Sequence, residues 1–152
     1  MEHRRMSQHF HVKNIQDWSE VAQYLIQSLR APQLLTLSGP LGAGKTTLVQ
    51  ALAHELGIKA EPRSPTFSLL RSYALPEERN GIRRLVHVDA YRLETANDVY
   101  ALDLEGELAE PGTIIAIEWP EQLGEALQKF HVPQVCVVID PQATNDRLVE
   151  VS

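Results

Sequence analysis

The chain has little that could brace it covalently or hold it in a membrane. Its 152 residues include a single cysteine, Cys136, so no disulfide can form within the chain. Cys136 lies in an apolar run at residues 135–139, which predicts a buried core thiol. No stretch approaches the roughly 18 consecutive apolar residues of a transmembrane helix, and no apolar segment follows the charged N-terminus. We therefore expect a cytoplasmic protein with no membrane association.

Positive charge is also scarce. The chain has 14 lysines and arginines against 20 aspartates and glutamates, a formal net charge of −6. Tight binding to nucleic acid relies on cations that displace counterions from phosphates, so this balance predicts no DNA binding. Any role with nucleic acid is expected to be indirect, through a partner protein. Hydrophobic residues at 43% and charged residues at 22% are typical of a globular protein, and we expect one domain spanning residues 1–152.

The apolar pattern predicts alternating strands and helices. Helical spacing of apolar residues predicts helices at 15–29 and 46–56, and shorter helices are expected at 96–102 and 121–128. Short apolar runs predict strands at 34–37, 85–88, 113–117 and 135–139, with weaker candidates at 67–73 and 148–151. The many β-branched residues in these strands suggest burial on both faces, and residues 76–83 have the composition of a loop. The pattern favours an α/β fold.

A phosphate-binding loop is the strongest signal in the sequence. Residues 39–46 read GPLGAGKT and match G-x-x-x-x-G-K-[ST], with a predicted strand before them and a predicted helix after them. Glycines let successive backbone N–H groups turn toward a phosphate at the N-terminus of a helix. Lys45 is expected to reach the β- and γ-phosphates, Thr46 to bind Mg²⁺, and Thr47 to contact the α-phosphate side. The predicted nucleotide-binding residues in this loop are Leu41, Gly42, Ala43, Gly44, Lys45, Thr46 and Thr47.

Two acids are placed to complete a hydrolytic site. Asp89 and Glu118 each follow a predicted strand, and the carboxyl ends of parallel strands meet at one edge of a sheet. A carboxylate there can bind Mg²⁺ or orient a water molecule. We expect Lys45, Asp89 and Glu118 to act in hydrolysis and Thr46, Asp89 and Glu118 to bind Mg²⁺, with the division of labour between the acids open.

Other patterns are weaker. Residues 103–106 fit the D-x-x-G pattern of GTPases, but they do not follow a strand, and the guanine-reading N-K-x-D pattern is absent. Adenine is therefore the expected base. His9, His11 and His87 have no companions at the spacing of metal ligands, which favours histidines on strand faces over a zinc site.

Four segments in order resemble the bacterial TsaE (YjeE) family of ATPases. They are LGAGKTT at 41–47, SPTF at 64–67, HVDAYRL at 87–93 and IEWP at 117–120, and the resemblance extends from about residue 15 to 151. It implies a single-domain P-loop NTPase, a three-layer α/β/α fold with a mostly parallel central sheet and some antiparallel strands. It also implies a small cytoplasmic ATPase, using ATP and Mg²⁺, that works with the TsaB–TsaD heterodimer. Together they form N6-threonylcarbamoyladenosine at position 37 of tRNA, which the ATPase meets only through the complex.

Individual roles follow from the same resemblance. Asp89 matches the Walker B aspartate, Glu118 the acid of the magnesium site, and Trp119 a tryptophan beside the nucleotide. Ser64 and Thr66 match a switch-like loop. The chain departs from the family in two places near the expected base site: Trp18 stands where many relatives have threonine, and Arg147 is offset by one position from the family's arginine.

Two alternatives remain at this stage. A P-loop small-molecule kinase needs an arginine-bearing lid, which Arg79, Arg83 and Arg84 could supply, although Asn80-Gly81 is more typical of a turn between strands. A non-catalytic, nucleotide-dependent assembly module would bind ATP without turning it over. Because the spacing gives no evident arginine finger, we expect the isolated chain to hydrolyse ATP slowly and its partners to stimulate it.

Overall fold

Strands and helices alternate along the chain in the computed structural model, which describes residues 7–60 and 69–152. The strands are β1 (Gln8–Val12), β2 (Gln33–Ser38), β3 (Leu70–Arg79), β4 (Ile82–Asp89), β5 (Thr113–Glu118), β6 (Gln134–Pro141) and β7 (Arg147–Val151). The helices are α1 (Ile15–Ser28), α2 (Lys45–Glu55), α3 (Ala96–Ala101) and α4 (Leu104–Ala109), and a kinked 3₁₀ segment spans Pro120–Lys129.

The seven strands of the described residues form one sheet in the order β1-β7-β6-β2-β5-β4-β3. The four central strands, β6, β2, β5 and β4, are parallel to one another, whereas β1, β7 and β3 are joined antiparallel at the two sides. This confirms the predicted α/β fold with a parallel centre and some antiparallel strands. The parallel centre matters for function, because the C-terminal ends of β2, β4 and β5 lie side by side.

Each face of the sheet carries its own hydrophobic core. On one face, α1 and α2 pack through residues such as Leu25 and Leu52 against strand residues that include Leu35 and Leu37. The opposite face of the central strands is covered by α4 and the 3₁₀ segment, which contribute Leu104 and Leu123 to the second core. Side chains alternate between the faces because successive residues of a strand point in opposite directions.

Local sequence explains where the helices begin. Asn14 caps α1, and the N3 residue Asp17 accepts a hydrogen bond from the Asn14 N–H in return, which is a capping box. Thr95 and Asp98 form the same arrangement at α3. Backbone N–H groups of Glu94 and Thr95 donate to the Asp98 carboxylate and hold its pKa below the ordinary value. None of the helices in the described residues is long and apolar enough to cross a membrane.

The prediction of a loop at 76–83 is wrong. β3 continues to Arg79 and β4 begins at Ile82, so that only Asn80 and Gly81 form the turn, as the Asn-Gly pair itself suggested. The weaker strand candidate at 67–73 overlaps the start of β3, but its continuation to Arg79 was missed because β3 is the edge strand of the sheet and much of it is exposed, which removes the apolar alternation that marks a half-buried strand. A register shift between Ala74 and Arg79 accompanies this irregular stretch.

The prediction that Cys136 is a buried core thiol is also wrong, because the residue is only partly buried. Every residue of β5 is buried, as predicted for strands covered on both faces, but Cys136 on β6 is only partly buried and Val138 is 49% exposed. The second core includes buried residues of β2, β4 and β5 but none of β6. The apolar run at residues 135–139 therefore predicted a strand correctly, but it led us to expect burial of both faces of that strand when only one face is buried.

We predict that truncating the core beneath α1 and α2 is far more costly than truncating the open face of β6. Leu35→Ala should lower the free energy of unfolding by about 2–5 kcal/mol, because Leu35 is fully buried in the first core. Val138→Ala should change it by less than about 0.5 kcal/mol. Urea denaturation of the three proteins measures both effects, and equal losses would contradict this assignment of the two faces.

Candidate functional site

The turn at residues 39–44 joins the end of β2 to the start of α2. Gly42 (φ +79°) and Gly44 (φ +115°) adopt left-handed backbone angles that a side chain would disfavour. Gly44 is the N-cap of α2 and supplies no side-chain acceptor to the first N–H groups of the helix. Those N–H groups and the positive end of the helix dipole form a ready site for an anion.

Trp18 packs directly behind this turn. A Cβ atom on Gly44 would lie 2.6 Å from Cζ2 of Trp18, so the indole leaves room for glycine alone at that position. Trp18 is 6% exposed and belongs to the first core. Trp18, one of the two positions at which the chain departs from the family, therefore supports the turn from the side of the first core.

Arg147, at the start of β7, holds the turn from the other side. Its Nε donates to the carbonyl oxygen of Ala43 at 2.9 Å and its Nη2 to that of Gly42 at 3.3 Å. In a trans peptide the carbonyl oxygen and the next N–H point in opposite directions. The guanidinium therefore helps fix which way the N–H groups of Ala43 and Gly44 face, a role that sequence spacing could not reveal.

Lys45 reaches back across the turn. Its Nζ donates to the carbonyl oxygens of Gly39 at 2.5 Å and Pro40 at 2.9 Å, and it lies 3.9 Å from the centre of the Trp119 ring. Burial lowers the pKa of Lys45 below its ordinary value, and the charges of Glu118, Glu121 and Asp89 oppose that shift. The lysine is thus a partly desolvated cation held beside two acids, an arrangement suited to an anionic ligand.

The two acids face each other across neighbouring strands. Asp89 ends β4, Glu118 ends β5, and the two are partners in the register of the parallel pair. Glu118 is buried, and the Thr46 hydroxyl donates to its carboxylate oxygens at 2.9 and 3.0 Å. Asp89 is partly exposed and accepts a hydrogen bond from the Tyr91 N–H at 3.1 Å. The fold brings the Thr46 hydroxyl to the same site as two carboxylates that lie 43 and 72 residues further along the chain.

His87 lies beneath these groups. It is fully buried on β4, and its Nε2 is 2.5 Å from Oε2 of Glu118, while its Nδ1 has no hydrogen-bond partner among the described residues. An ionised carboxylate only accepts hydrogen bonds, so with Glu118 ionised this contact requires an N–H at Nε2. The described residues contain no group of three or more His, Cys, Asp or Glu side chains able to hold a metal. The contact of Nε2 with Oε2 helps hold the Glu118 carboxylate in position.

One pocket of about 460 Å³ collects these side chains. Every predicted nucleotide-binding, hydrolytic or metal-binding residue lines it: Leu41, Gly42, Ala43, Gly44, Lys45, Thr46, Thr47, Asp89, Glu118 and Trp119. Leu69, Tyr91 and Arg92 line it as well and had been given no individual role. Ser64 and Thr66 lie outside the described residues.

Trp119 owes its place to a strained backbone. Its φ of +58° is left-handed, which is uncommon for a bulky side chain and costs on the order of 1–3 kcal/mol. The turn carries the indole into the pocket, where it stacks at an angle on Tyr91 with ring centres 5.1 Å apart. Such strain persists only where the surrounding structure imposes it. The strained backbone at Trp119 therefore fixes the position of its indole in the pocket.

The weaker sequence candidates lie elsewhere. Asp103 caps α4 by accepting from the Gly106 N–H, which explains the D-x-x-G match without a nucleotide. Arg84 is near the start of β4, opposite the end that carries Asp89, and pairs with Glu107. Arg79 donates to the carbonyl oxygen of Glu55 at 2.7 Å. The pocket lining contains none of the three arginines that a kinase lid would have used.

We predict that Lys45 titrates below its ordinary pKa of 10.5 and that Glu118→Gln lowers its pKa further. Burial disfavours the ammonium, and Glu118 is the strongest of the charges that favour it. NMR titration of lysine-labelled protein, without metal or nucleotide, measures both values. Glu110→Gln, which removes an acid at the N-terminal side of β5, is the matched control. A Lys45 pKa that rose in Glu118→Gln would contradict the arrangement.

The chain is similar to a known protein family and to named relatives. Residues 12–149 match the family model described as "Threonylcarbamoyl adenosine biosynthesis protein TsaE". Two proteins named tRNA threonylcarbamoyladenosine biosynthesis protein TsaE are similar. The one from Synechocystis is 39% identical over 77% of this chain and 73% of its own, and the one from Streptomyces coelicolor is 43% identical over 71% and 70%.

A solved structure supports the fold. The crystal structure of YdiB from Bacillus subtilis superposes with a TM-score of 0.69, covers 99% of this chain and 87% of its own, and is 24% identical in sequence. With the family match across most of the chain, these findings establish that the chain belongs to the TsaE family of threonylcarbamoyladenosine biosynthesis proteins.

Proposed function

We propose that this chain is a Mg²⁺-dependent ATPase of the cytoplasm that supports the TsaB–TsaD complex in forming N6-threonylcarbamoyladenosine at position 37 of tRNA. One observation carries the proposal. The Thr46 hydroxyl and the buried Glu118 carboxylate meet within 3.0 Å beside a phosphate-type turn and its lysine. A hydroxyl from the loop and a strand-end acid are the two protein groups by which P-loop enzymes hold magnesium.

The residues present suit Mg²⁺. This ion prefers oxygen ligands and keeps several waters, and it is usually bound by one or two protein groups together with substrate phosphates. Thr46 and Glu118 supply two such oxygens, and the lack of a larger cluster in the described part of the chain fits an ion shared with a nucleotide. When bound, Mg²⁺ neutralises charge on the phosphate oxygens.

The positions of the remaining groups suggest a different role in hydrolysis for each. Lys45 stabilises negative charge on the transferring phosphoryl group, and the N–H groups of the turn hold the other phosphate oxygens. The contact between Thr46 and Glu118 supports Glu118 as the acid on the metal side. Asp89 is partly exposed and lines the same pocket, which supports Asp89 as the group that orients water. Trp119 and Tyr91 offer aromatic surface beside the nucleotide.

Family membership supports the proposed partners. Relatives of this chain are named for tRNA threonylcarbamoyladenosine biosynthesis, and the negative charge of the chain suits contact with a protein rather than directly with tRNA. The kinase alternative loses support because Arg79 and Arg84 are engaged outside the pocket. The non-catalytic alternative differs in one measurable property, the release of phosphate.

ATP turnover by the purified chain, alone and with TsaB–TsaD and substrate tRNA, tests the proposal. We expect slow release of phosphate alone and faster release with the partners. Lys45→Ala and Glu118→Gln should each reduce stimulated turnover on the order of 100-fold or more, because each removes a group that acts on the transition state. Glu110→Gln is the control for loss of a carboxylate at the far side of β5. Background-level turnover by the stimulated wild type would favour the non-catalytic module, and phosphate transfer to an acceptor would favour a kinase.

A separate prediction concerns His87. His87→Leu removes the donor that holds Glu118, and loss of such a supporting contact usually lowers metal affinity or activity about 10- to 100-fold. The Mg²⁺ concentration for half-maximal turnover should rise, while binding of a fluorescent ATP analogue without metal changes little. His87→Gln keeps an N–H donor and should restore part of the effect. If both variants lost metal-free nucleotide binding equally, His87 would have only a structural role.

A further inference from the structure

A second concave surface lies on the face of the sheet covered by the short helices. It is a groove of about 480 Å³ between the α3–α4 pair and the 3₁₀ segment. Its apolar lining includes Val99, Leu104, Leu123 and Phe130. Tyr100 also lines it and is 85% exposed, the largest exposed fraction among the large hydrophobic side chains of the described residues. We call this feature the acidic groove.

The name reflects an uneven distribution of charge. Residues 94–110, which include both α3 and α4, contain no lysine or arginine and six acids: Glu94, Asp98, Asp103, Glu105, Glu107 and Glu110. Their combined formal charge of −6 equals that of the whole chain, so the rest of the sequence is balanced. The lining of the groove carries Asp103, Glu105 and Glu125 against Lys129.

Some of these acids have local roles and others do not. Asp98 and Asp103 cap α3 and α4, and Glu107 pairs with Arg84. The side chains of Glu105 and Glu125 are exposed and make no hydrogen bond or ion pair with other residues in the part of the chain that the structure describes. Caps explain why acids occur at the helix starts, but they leave the two free carboxylates at the groove unexplained.

We propose that the acidic groove is a docking site for a basic amphipathic helix of a partner protein. Such a helix places an apolar stripe in a groove, with residues at spacings of three and four as anchors. Its lysines and arginines would lie opposite Glu105 and Glu125, where complementary charge speeds encounter and fixes the register. Tyr100 is of the type that most often contributes binding energy at the centre of an interface. Nucleic acid and anionic lipid are disfavoured by the same acids.

The groove is connected through the backbone to the pocket that Lys45, Thr46 and Glu118 line. α3 begins seven residues after Asp89, and the 3₁₀ segment begins two residues after Glu118. The two walls of the groove are therefore continuous with the two strand ends that carry the acids of the pocket. A helix that wedges between those walls acts on the positions of Asp89 and Glu118, which is a physical route for a partner to alter turnover. This last step rests on the proposed function, whereas the groove and its charge do not.

A synthetic peptide tests the groove without reference to ATP. The probe is a helix of about five turns with leucine at helical spacing and lysine elsewhere, and its control is a scrambled peptide of the same composition. We expect the patterned peptide to bind the wild type and to shift the NMR signals of Val99, Leu104 and Ala126. Glu105→Lys/Glu125→Lys and Tyr100→Ala should each weaken binding at least about tenfold.

Matched controls separate docking from general attraction. Glu20→Lys/Glu78→Lys makes the same charge change at exposed acids on α1 and β3, away from the groove, and should alter affinity by about twofold or less at physiological salt. Asp98 and Asp103 are left intact because their loss would uncap the helices. Equal binding of the patterned and scrambled peptides, or equal losses in groove and control variants, would overturn the proposal.

A second arm uses the TsaB–TsaD heterodimer as the probe. The groove variants should lose affinity for the pair and stimulation by it, at least about tenfold, while their basal ATP turnover stays within about twofold of wild type. If the pair stimulates the groove variants and the wild type alike, the groove is not its docking site. If the pair fails to bind or stimulate the wild type while the patterned peptide still binds the groove, the proposed partnership with TsaB–TsaD is contradicted and the proposal of a docking groove stands.

Discussion

Parallel pairing of β2, β5 and β4 is the constraint on which the site depends. Parallel strands end at the same edge of a sheet, and the register sets Leu37 opposite Glu118 and Glu118 opposite Asp89. The turn that follows β2 therefore opens beside both acids. A slip of one residue would send every side chain of a strand to the other face, taking Glu118 away from Thr46. The apolar residues that alternate between the two cores oppose such a slip, so the packing of the sheet also fixes the chemistry at its edge.

Burial of the polar groups at this edge of the sheet lowers the stability of the fold. Lys45, His87 and Glu118 are all buried, and buried polar groups are costly unless they are paired. Lys45 is satisfied by two carbonyl oxygens, and Glu118 by a hydroxyl and an imidazole, but His87 Nδ1 has no partner among the described residues. The left-handed Trp119 adds strain. Such a concentration of unfavourable features is expected where function rather than stability has shaped a structure.

The two layers of helices differ in what they can do. α1 and α2 are long, bury continuous apolar faces and support the loop from behind through Trp18. The other layer consists of two six-residue helices and a kinked 3₁₀ segment, which leave a groove between them. Elements with few buried contacts open more easily than core elements. The first layer thus supports the turn at residues 39–44, and the thinner second layer connects the segments that follow Asp89 and Glu118 to the outer surface.

The sequence by itself determined the features that are local. Residues 39–46 specify the turn because glycines, a lysine and a threonine at fixed spacing are needed within one short segment, and apolar periodicity identified the central strands and α1 and α2. The second half of the edge strand β3 was missed, since an exposed strand lacks that periodicity. Arg147 and His87 acquired their roles only in the folded chain. Arg147 lies 104 residues from Ala43, and His87 lies 31 residues from Glu118, so no spacing rule links them. Tertiary structure decided these contacts because the pairing of distant strands, rather than neighbouring residues, brings the partners together.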